Sequence, residues 1–69
     1  GNDVKWLQWE LIEAGYNRAF VYKGKNYGAV LIDGDFGKIT DAAVRAFQSS
    51  CKIAVDGKVG SITRMWLKG

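Results

Sequence analysis

The chain has 69 residues, of which 48% are apolar, and its ten basic and seven acidic side chains give a net charge of +3. A chain of this length excludes a second sizeable domain, since a 60-residue domain buries only about 60% of its unfolded surface. The absence of histidine excludes Ser-His and Cys-His nucleophilic pairs and imidazole metal sites, and one cysteine excludes an internal disulfide.

The positive charge favours a polyanionic partner such as nucleic acid, a phosphate polymer or a carboxylate-rich wall. No apolar run is long enough to cross a bilayer, and the chain begins without a signal-peptide pattern. We expect no membrane partner, and we interpret the chain as a fragment of an exported protein. We predict that Cys51 is a small buried side chain at a helix end and not a reactive thiol.

The first predicted element is a helix over residues 3 to 14, in which Asp3 can cap the start and Gly15 can end the helix in a left-handed conformation. Its apolar stripe at helical spacing consists of Val4, Leu7, Leu11 and Ala14. Trp6 and Trp9 fall opposite this stripe. We expect aromatic side chains of the next segment to cover both indoles, namely Phe20, Tyr22 and Tyr27; the alternative is a partly exposed platform for sugar rings or a partner domain.

Residues 17–31 lose the helical pattern and are predicted to form an irregular loop or a small hairpin. Residues 32–44 and 55–67 then carry the same phrase, in which Asp-Gly is followed by Gly-x-x-Thr and an apolar-periodic run. This phrase is typical of a short turn that feeds a helix. We therefore predict an all-α, compact three-helix bundle with two similar turn-helix units in a single domain.

The second helix is predicted to begin after Gly37 and to finish near Ser50, with an apolar face formed by Ile39, Ala43, Val44 and Phe47. The third is predicted to begin after Gly60 and to end before Gly69, with an apolar face formed by Ile62, Trp66 and Leu67. Trp66 is accordingly assigned to the core.

Taken in order, these residues resemble the peptidoglycan-binding domain found beside bacterial cell-wall hydrolases. The resemblance covers residues 4–16 and 32–67 and is specific, because apolar spacing, two Asp-Gly turns and two Gly-x-x-Thr helix entries must all agree. It implies a non-catalytic module, and we expect a monomer without a cofactor. It further implies that the module holds an attached amidase, lytic enzyme or peptidase on the bacterial wall, outside the cell.

The sequence departs from the family pattern in two places. The connection over residues 17–31 is longer than usual, which would reshape any groove that it borders. Lys52 stands where the family often has glycine after the second helix, and a left-handed lysine costs on the order of 1 kcal/mol. We therefore expect this helix to end differently.

The best candidate ligand site lies at the start of the second helix, where free N–H groups and the helix dipole can receive a carboxylate from a peptide stem. Its predicted members are Asp33, Gly34, Phe36, Gly37, Thr40, Gln48, Trp9 and Tyr27. On this interpretation Thr40→Val weakens binding to purified cell walls and leaves thermal stability nearly unchanged.

Purely structural roles are the alternative for these residues. Asp33 and Asp56 can bond nearby backbone N–H groups, Thr40 and Thr63 can satisfy a helix start, and the amides of Gln8 and Gln48 can join helices. A calcium loop through Asp33, Asp35 and Asp41 fails, because the EF-hand pattern requires glycine and a carboxylate where Lys38 and Val44 stand. We predict no metal site.

Catalysis is not expected. A carboxylate pair for glycoside cleavage drawn from Asp33, Asp35, Glu10 and Glu13 would also need a sugar-sized cleft and an acid of raised pKa. One rival function is nucleic-acid binding, which three short helices and the positive charge suggest, although no helix carries a concentrated basic stripe; we expect no nucleic-acid partner. The other is docking on the chain's own catalytic domain through Trp6 and Trp9.

Overall fold

The computed structural model describes the backbone of residues 2–67, which contains three helices and one small sheet. The helices are α1 (Asn2–Leu11), α2 (Lys38–Ser50) and α3 (Ser61–Leu67), and the strands are β1 (Phe20–Tyr22) and β2 (Lys25–Tyr27). The three helices were predicted, but the chain is not all-α, because the long connection forms two strands. The predicted end of the third helix before Gly69 lies outside the described residues. No helix within residues 2–67 is long and apolar enough to cross a membrane.

The first helix ends earlier than predicted. After Leu11 the chain widens into one π-helical turn over Ile12–Tyr16, inside which Gly15 takes a φ of 111°. Leu7 and Leu11 are buried as expected, whereas Ala14 is exposed because the change of helical pitch removes it from the apolar stripe.

The long connection is a β-hairpin. Phe20 pairs with Tyr27 and Tyr22 with Lys25 in antiparallel register, and the two-residue turn between the strands holds Lys23 and Gly24 at positive φ. The Phe20 ring stacks on Tyr27 with centroids 5.4 Å apart and meets Tyr16 edge-on at 5.2 Å. These rings fix the hairpin to the end of the first helix.

The prediction that the hairpin covers both tryptophans is wrong. Trp9 is 51% exposed, and the Phe20 ring contacts two tyrosines, Tyr16 and Tyr27, instead. Trp6 is partly buried against the core, with the guanidinium of Arg64 from α3 lying 5.2 Å from its ring centroid.

The core joins α1 and α2 with one residue of the connection, and its buried members are Leu7, Leu11, Val30, Ala43 and Val44. Phe47, Val59 and Leu67 pack against it, and Cys51 is only partly buried. Ile39, Ile62 and Trp66 were assigned to apolar core faces and are exposed instead, Trp66 by 52%. For the two isoleucines the reason is local: Thr40 and Thr63 turn inward at the two helix starts, and each residue advances about 100° around a helix, which turns the preceding isoleucine outward.

The expectation that α2 ends differently because of Lys52 is wrong. Lys52 takes a φ of 59°, the left-handed conformation that glycine favours at this position. The Ile53 N–H donates to the Gln48 carbonyl at 3.1 Å, and the Lys52 N–H donates to the Ser49 carbonyl at 3.1 Å. This pair of bonds is the Schellman arrangement, here closed by a lysine.

Candidate functional site

The first Asp-Gly corner is built around the buried side chain of Gln8. Its Oε1 accepts the N–H groups of Asp33 and Gly34 at 3.1 and 3.0 Å. Its Nε2 donates to Asp33 Oδ1 at 2.9 Å and to the Asp35 carbonyl and Thr40 Oγ1 at 3.1 Å each. One amide from α1 therefore fixes both the turn and the start of α2.

The second corner repeats this arrangement around Gln48, which lies on α2. Its Oε1 accepts the Gly57 N–H at 3.1 Å. Its Nε2 donates to Asp56 Oδ1 at 3.0 Å, to the Lys58 carbonyl at 2.8 Å and to Thr63 Oγ1 at 3.1 Å. The structural interpretation of both glutamines, which joins helices through backbone groups, is confirmed.

The backbones of the two corners also agree. Gly34 and Gly57 take φ values of 75° and 71°, and the two aspartates each accept the N–H two residues later at 2.9 Å. The bond from the Asp35 N–H, followed by that from Gln8, lowers the pKa of Asp33 below its usual value. The bonds from the Lys58 N–H and from Gln48 lower the pKa of Asp56 in the same way.

A groove lies beside each corner. The first-corner groove has a volume of about 430 Å³ and lies between Ala29 and Leu31, which follow the hairpin, and the start of α2. Its apolar walls are Leu31 and Ile39, both exposed, and its polar lining includes Asp33, Asp35, Lys38 and Thr40. Gly28 lies next to the Ile39 wall, since a Cβ there would meet Ile39 Cδ1 at 3.7 Å.

The second-corner groove has a similar volume, about 420 Å³, and is lined at corresponding positions by Ala54, Asp56, Lys58 and Ile62. Its chemistry differs from that of the first at three corresponding points. Ala54 takes the place of Leu31, Lys58 that of Asp35, and Ser61 that of Lys38. The repeated fold thus presents two grooves of one shape with different walls.

A family model for peptidoglycan binding domains matches residues 1–67. The chain belongs to this family. No curated protein and no solved structure matches it. Membership supports a peptidoglycan-binding role and an association with the cell wall, and this family is one of binding domains and not of catalytic ones.

The peptidoglycan-binding domain brings three of its eight predicted site residues to the first-corner groove, namely Asp33, Gly37 and Thr40. Thr40 is only 4% exposed, and Gly34 is held in the turn by Gln8. The other four lie elsewhere: Phe36 lines a separate depression, Gln48 is buried at the second corner, Trp9 is exposed on α1, and Tyr27 stacks in the hairpin.

Sequence reasoning missed the walls of the groove, Leu31 and Ile39. It ended the connection at Leu31 and placed Ile39 in the core. A signal was available, because Ile39 and Ile62 occupy the same position of the repeated phrase, immediately before a threonine that a buried glutamine can bond. Two apolar residues that share such a position are expected to face the same surroundings.

Two of the three aspartates considered for a calcium loop, Asp33 and Asp41, are occupied by protein partners. Asp33 accepts backbone and amide hydrogens, and Asp41 pairs with Arg45 at 3.2 Å one turn along α2. Within residues 2–67 no three carboxylate, thiol or imidazole side chains lie close enough together to hold a metal ion.

Proposed function

We propose that this peptidoglycan-binding domain grips the bacterial wall through the first-corner groove and so holds an attached wall hydrolase, such as an amidase, lytic enzyme or peptidase, at its substrate outside the cell. The observation that carries the proposal is the family match over residues 1–67. Because the wall presents many copies of each subunit, tethering by even a weak module raises the local concentration of the attached enzyme.

The first-corner groove suits a peptide stem better than a bare sugar. Its volume of about 430 Å³ falls in the usual range for small-ligand sites, and its walls are aliphatic rather than aromatic. Asp33 and Asp35 place two negative charges on the lining, and Lys38 places one positive charge there. Alkyl side chains, amides and the free ammonium or carboxylate groups of a stem match this combination.

We assign to the buried residues of the predicted site the role of shaping the corner and not of contacting a ligand. Gln8 holds Thr40, and Gln48 is only 1% exposed, so neither threonine nor glutamine offers its polar atoms to a ligand. Asp33 and Gly34 shape the corner in the same way, whereas Gly37 lines the groove directly. The exposed indole of Trp9, with Phe36 and Tyr27, remains a proposed contact for a longer glycan strand.

Co-sedimentation with purified sacculi tests the proposal, and the repeat provides a matched control. Ile39→Ser removes an apolar wall of the first-corner groove, and Ile62→Ser makes the same change at the corresponding position of the second. Loss of buried apolar area worth about 1.4 kcal/mol weakens binding about tenfold. We expect this loss for Ile39→Ser and none for Ile62→Ser; equal losses, or none for either, would contradict the placement.

Nucleic-acid binding is separated in the same assay. The unmodified domain is expected to sediment with sacculi at moderate salt and to ignore duplex DNA. Binding to DNA that falls steeply with salt, without binding to sacculi, would replace the wall by nucleic acid as the partner.

A second candidate function, docking on the attached catalytic domain, is favoured by the outer face of α3. Ile62, Met65 and Trp66 are all exposed there, whereas Trp6, which we first considered for docking, is partly buried against the core. In the longer enzyme, hydrogen exchange of the α3 amides is the test. Docking predicts slower exchange than in the isolated domain, and identical rates would exclude it.

A further inference from the structure

A third depression, apart from both corner grooves, lies where the start of α1 faces α3. Its volume is about 210 Å³. Trp6, Phe36 and Val59 form an apolar wall, and Phe36 is 41% exposed. The charged residues of the lining are Asp3 and Arg64. This depression, which we call the Trp6 pocket, has the size of one small organic group and not of a polymer.

The guanidinium of Arg64 lies beside Trp6 and is not neutralised. Its Cζ lies 5.2 Å from the centroid of the Trp6 ring, within the range of a cation–π interaction. The ion pair found within residues 2–67 joins Arg45 to Asp41 and leaves Arg64 without a carboxylate. The N–H groups of this guanidinium can therefore donate to the planar carboxylate of a ligand.

Asp3 gives the same pocket a negative charge. It lies in the first turn of α1, where a carboxylate suits the helix dipole, and it is exposed. Asp3 and Arg64 line one cavity, yet within the described residues they form no ion pair with each other. Asp3 would repel a purely anionic ligand, and Arg64 would repel a purely cationic one. A ligand that carries both charges therefore fits the pocket better than either.

We propose that the Trp6 pocket binds a free α-amino-acid group, with its carboxylate on Arg64, its ammonium on Asp3 and its alkyl portion against Trp6 and Phe36. In a cell wall such a group is present wherever a stem residue ends in a free ammonium and a free carboxylate; for this biological source the inference rests on the proposed function. The pocket would then bind a stem side chain that keeps both charged groups because it is not cross-linked, while the first-corner groove holds the stem itself.

Titration of the isolated domain with D-alanine, followed by NMR at the indole Nε1–H of Trp6, tests the inference. D-Alaninamide lacks the negative charge and N-acetyl-D-alanine lacks the positive charge, so each removes one of the two contacts. We expect a saturable shift with D-alanine and at least about tenfold weaker binding of both blocked forms, since one hydrogen bond to a charged group is worth about 1.5–3 kcal/mol. Equal shifts from all three compounds, or none from D-alanine, would overturn the proposal.

Variants locate the contact on the protein. Arg64→Gln and Asp3→Asn alter exposed side chains, and Lys58→Gln removes one positive charge from an exposed residue outside the pocket. With thermal unfolding curves as the check on folding, both pocket variants are expected to weaken D-alanine binding about tenfold and Lys58→Gln to leave it unchanged. Equal loss in Arg64→Gln and Lys58→Gln, with no loss in Asp3→Asn, would show that net charge governs binding and would overturn the proposal.

The two proposals fail separately. If D-alanine does not bind but sacculi still do, the Trp6 pocket is wrong and the first-corner groove stands. If D-alanine binds and sacculi do not, the pocket recognises amino-acid groups from a source other than the wall.

Discussion

Lys52 closes α2 in a conformation that lysine adopts at a cost. Its φ of 59° is left-handed, and only glycine enters this region without a clash between Cβ and the backbone. We predict that Lys52→Gly raises the free energy of unfolding by about 1 kcal/mol, which corresponds to about 4–8 °C in the melting temperature of so small a domain. Calorimetry checks this. Lys52→Ala is the control and should give no comparable gain, because alanine keeps the Cβ.

Thr40 contributes through the hydrogen bond that it accepts from Gln8. The hydroxyl is buried, and Gln8 Nε2 lies 3.1 Å from it. Thr40→Val removes this bond but leaves the Gln8 amide its acceptors on Asp33 and Asp35, so the expected cost is that of one hydrogen bond, about 0.5–1.5 kcal/mol. The prediction is therefore a clear loss of stability in urea unfolding, which replaces the earlier expectation of almost none, and Thr63→Val should lose a similar amount because Gln48 holds it in the same way. Wild-type stability in either variant would show that the hydroxyl is dispensable.

Asp33 and Asp56 make the stability of the domain depend on pH in the acidic range. Their pKa values in the folded state lie below the ordinary value of 3.8 because of N–H and amide hydrogen bonds, so the unfolded chain binds protons first as the pH falls. Stability is thus complete above about pH 4 and is lost as the pH falls from there through the folded pKa values. Unfolding of Asp33→Asn/Asp56→Asn measured from about pH 7 to about pH 2 should show a flatter acid limb. An acid limb as steep as in the wild type would contradict the assignment.

At the scale of elements, the hairpin carries the net charge of the chain. Arg18, Lys23 and Lys25 lie on or beside it, and residues 17–32 contain no acidic side chain. Removing these three from the ten basic residues leaves seven, which the seven acidic residues balance. The ammonium groups of Lys23 and Lys25 lie 5.6 and 5.5 Å from the ring centroids of Tyr22 and Tyr27. The hairpin is therefore a positively charged arm beside the first-corner groove.

This distribution predicts how salt affects wall binding. Replacing all three hairpin cations by glutamine should weaken sacculi binding at about 0.05 M salt and should remove most of its further decline toward about 0.5 M, where exposed charges are screened. The control changes three exposed cations outside the hairpin, in Lys5→Gln/Lys52→Gln/Lys58→Gln, with the same change in net charge. If both triple variants respond alike, total charge and not the hairpin governs attraction to the wall.

The repeated unit explains why α2 is central. At its start, α2 is bonded to the first corner because Thr40 accepts a hydrogen bond from Gln8. Near its end, α2 fixes the second corner through the hydrogen bonds of Gln48. The glutamine and its aspartate are 25 residues apart in the first unit and 8 apart in the second. The extra residues of the first unit form the hairpin. The same corner can therefore form at both ends of α2, although the two connections differ in length.

Across the whole molecule, the sequence predicted the elements that depend on local patterns. Two Asp-Gly corners, the starts of α2 and α3 and the end of α2 near Ser50 follow from turn chemistry and helical spacing. The face of each helix that turns toward the core was less predictable. Ile62 and Trp66 appeared to belong to the core because apolar spacing alone does not say which of two stripes faces inward, and the buried bond from Gln48 to Thr63 decides it.

The candidate site was predictable only where it coincides with the repeated phrase. Asp33, Gly37 and Thr40 were located at one groove, but the walls that complete it come from residues whose exposure depends on tertiary packing. The Trp6 pocket was invisible to the sequence, because it joins Asp3, Phe36 and Arg64 from three distant segments that no periodicity links.

The central claim is that the groove at the first corner holds the wall. Chemical-shift mapping with a soluble disaccharide-peptide fragment of peptidoglycan tests it most directly, since both grooves are observed in one experiment with the unmodified domain. The account predicts that the largest shifts fall on residues 29–40, with smaller ones on the hairpin. Shifts centred on residues 53–63, or no shifts at a concentration that saturates binding to sacculi, would contradict it.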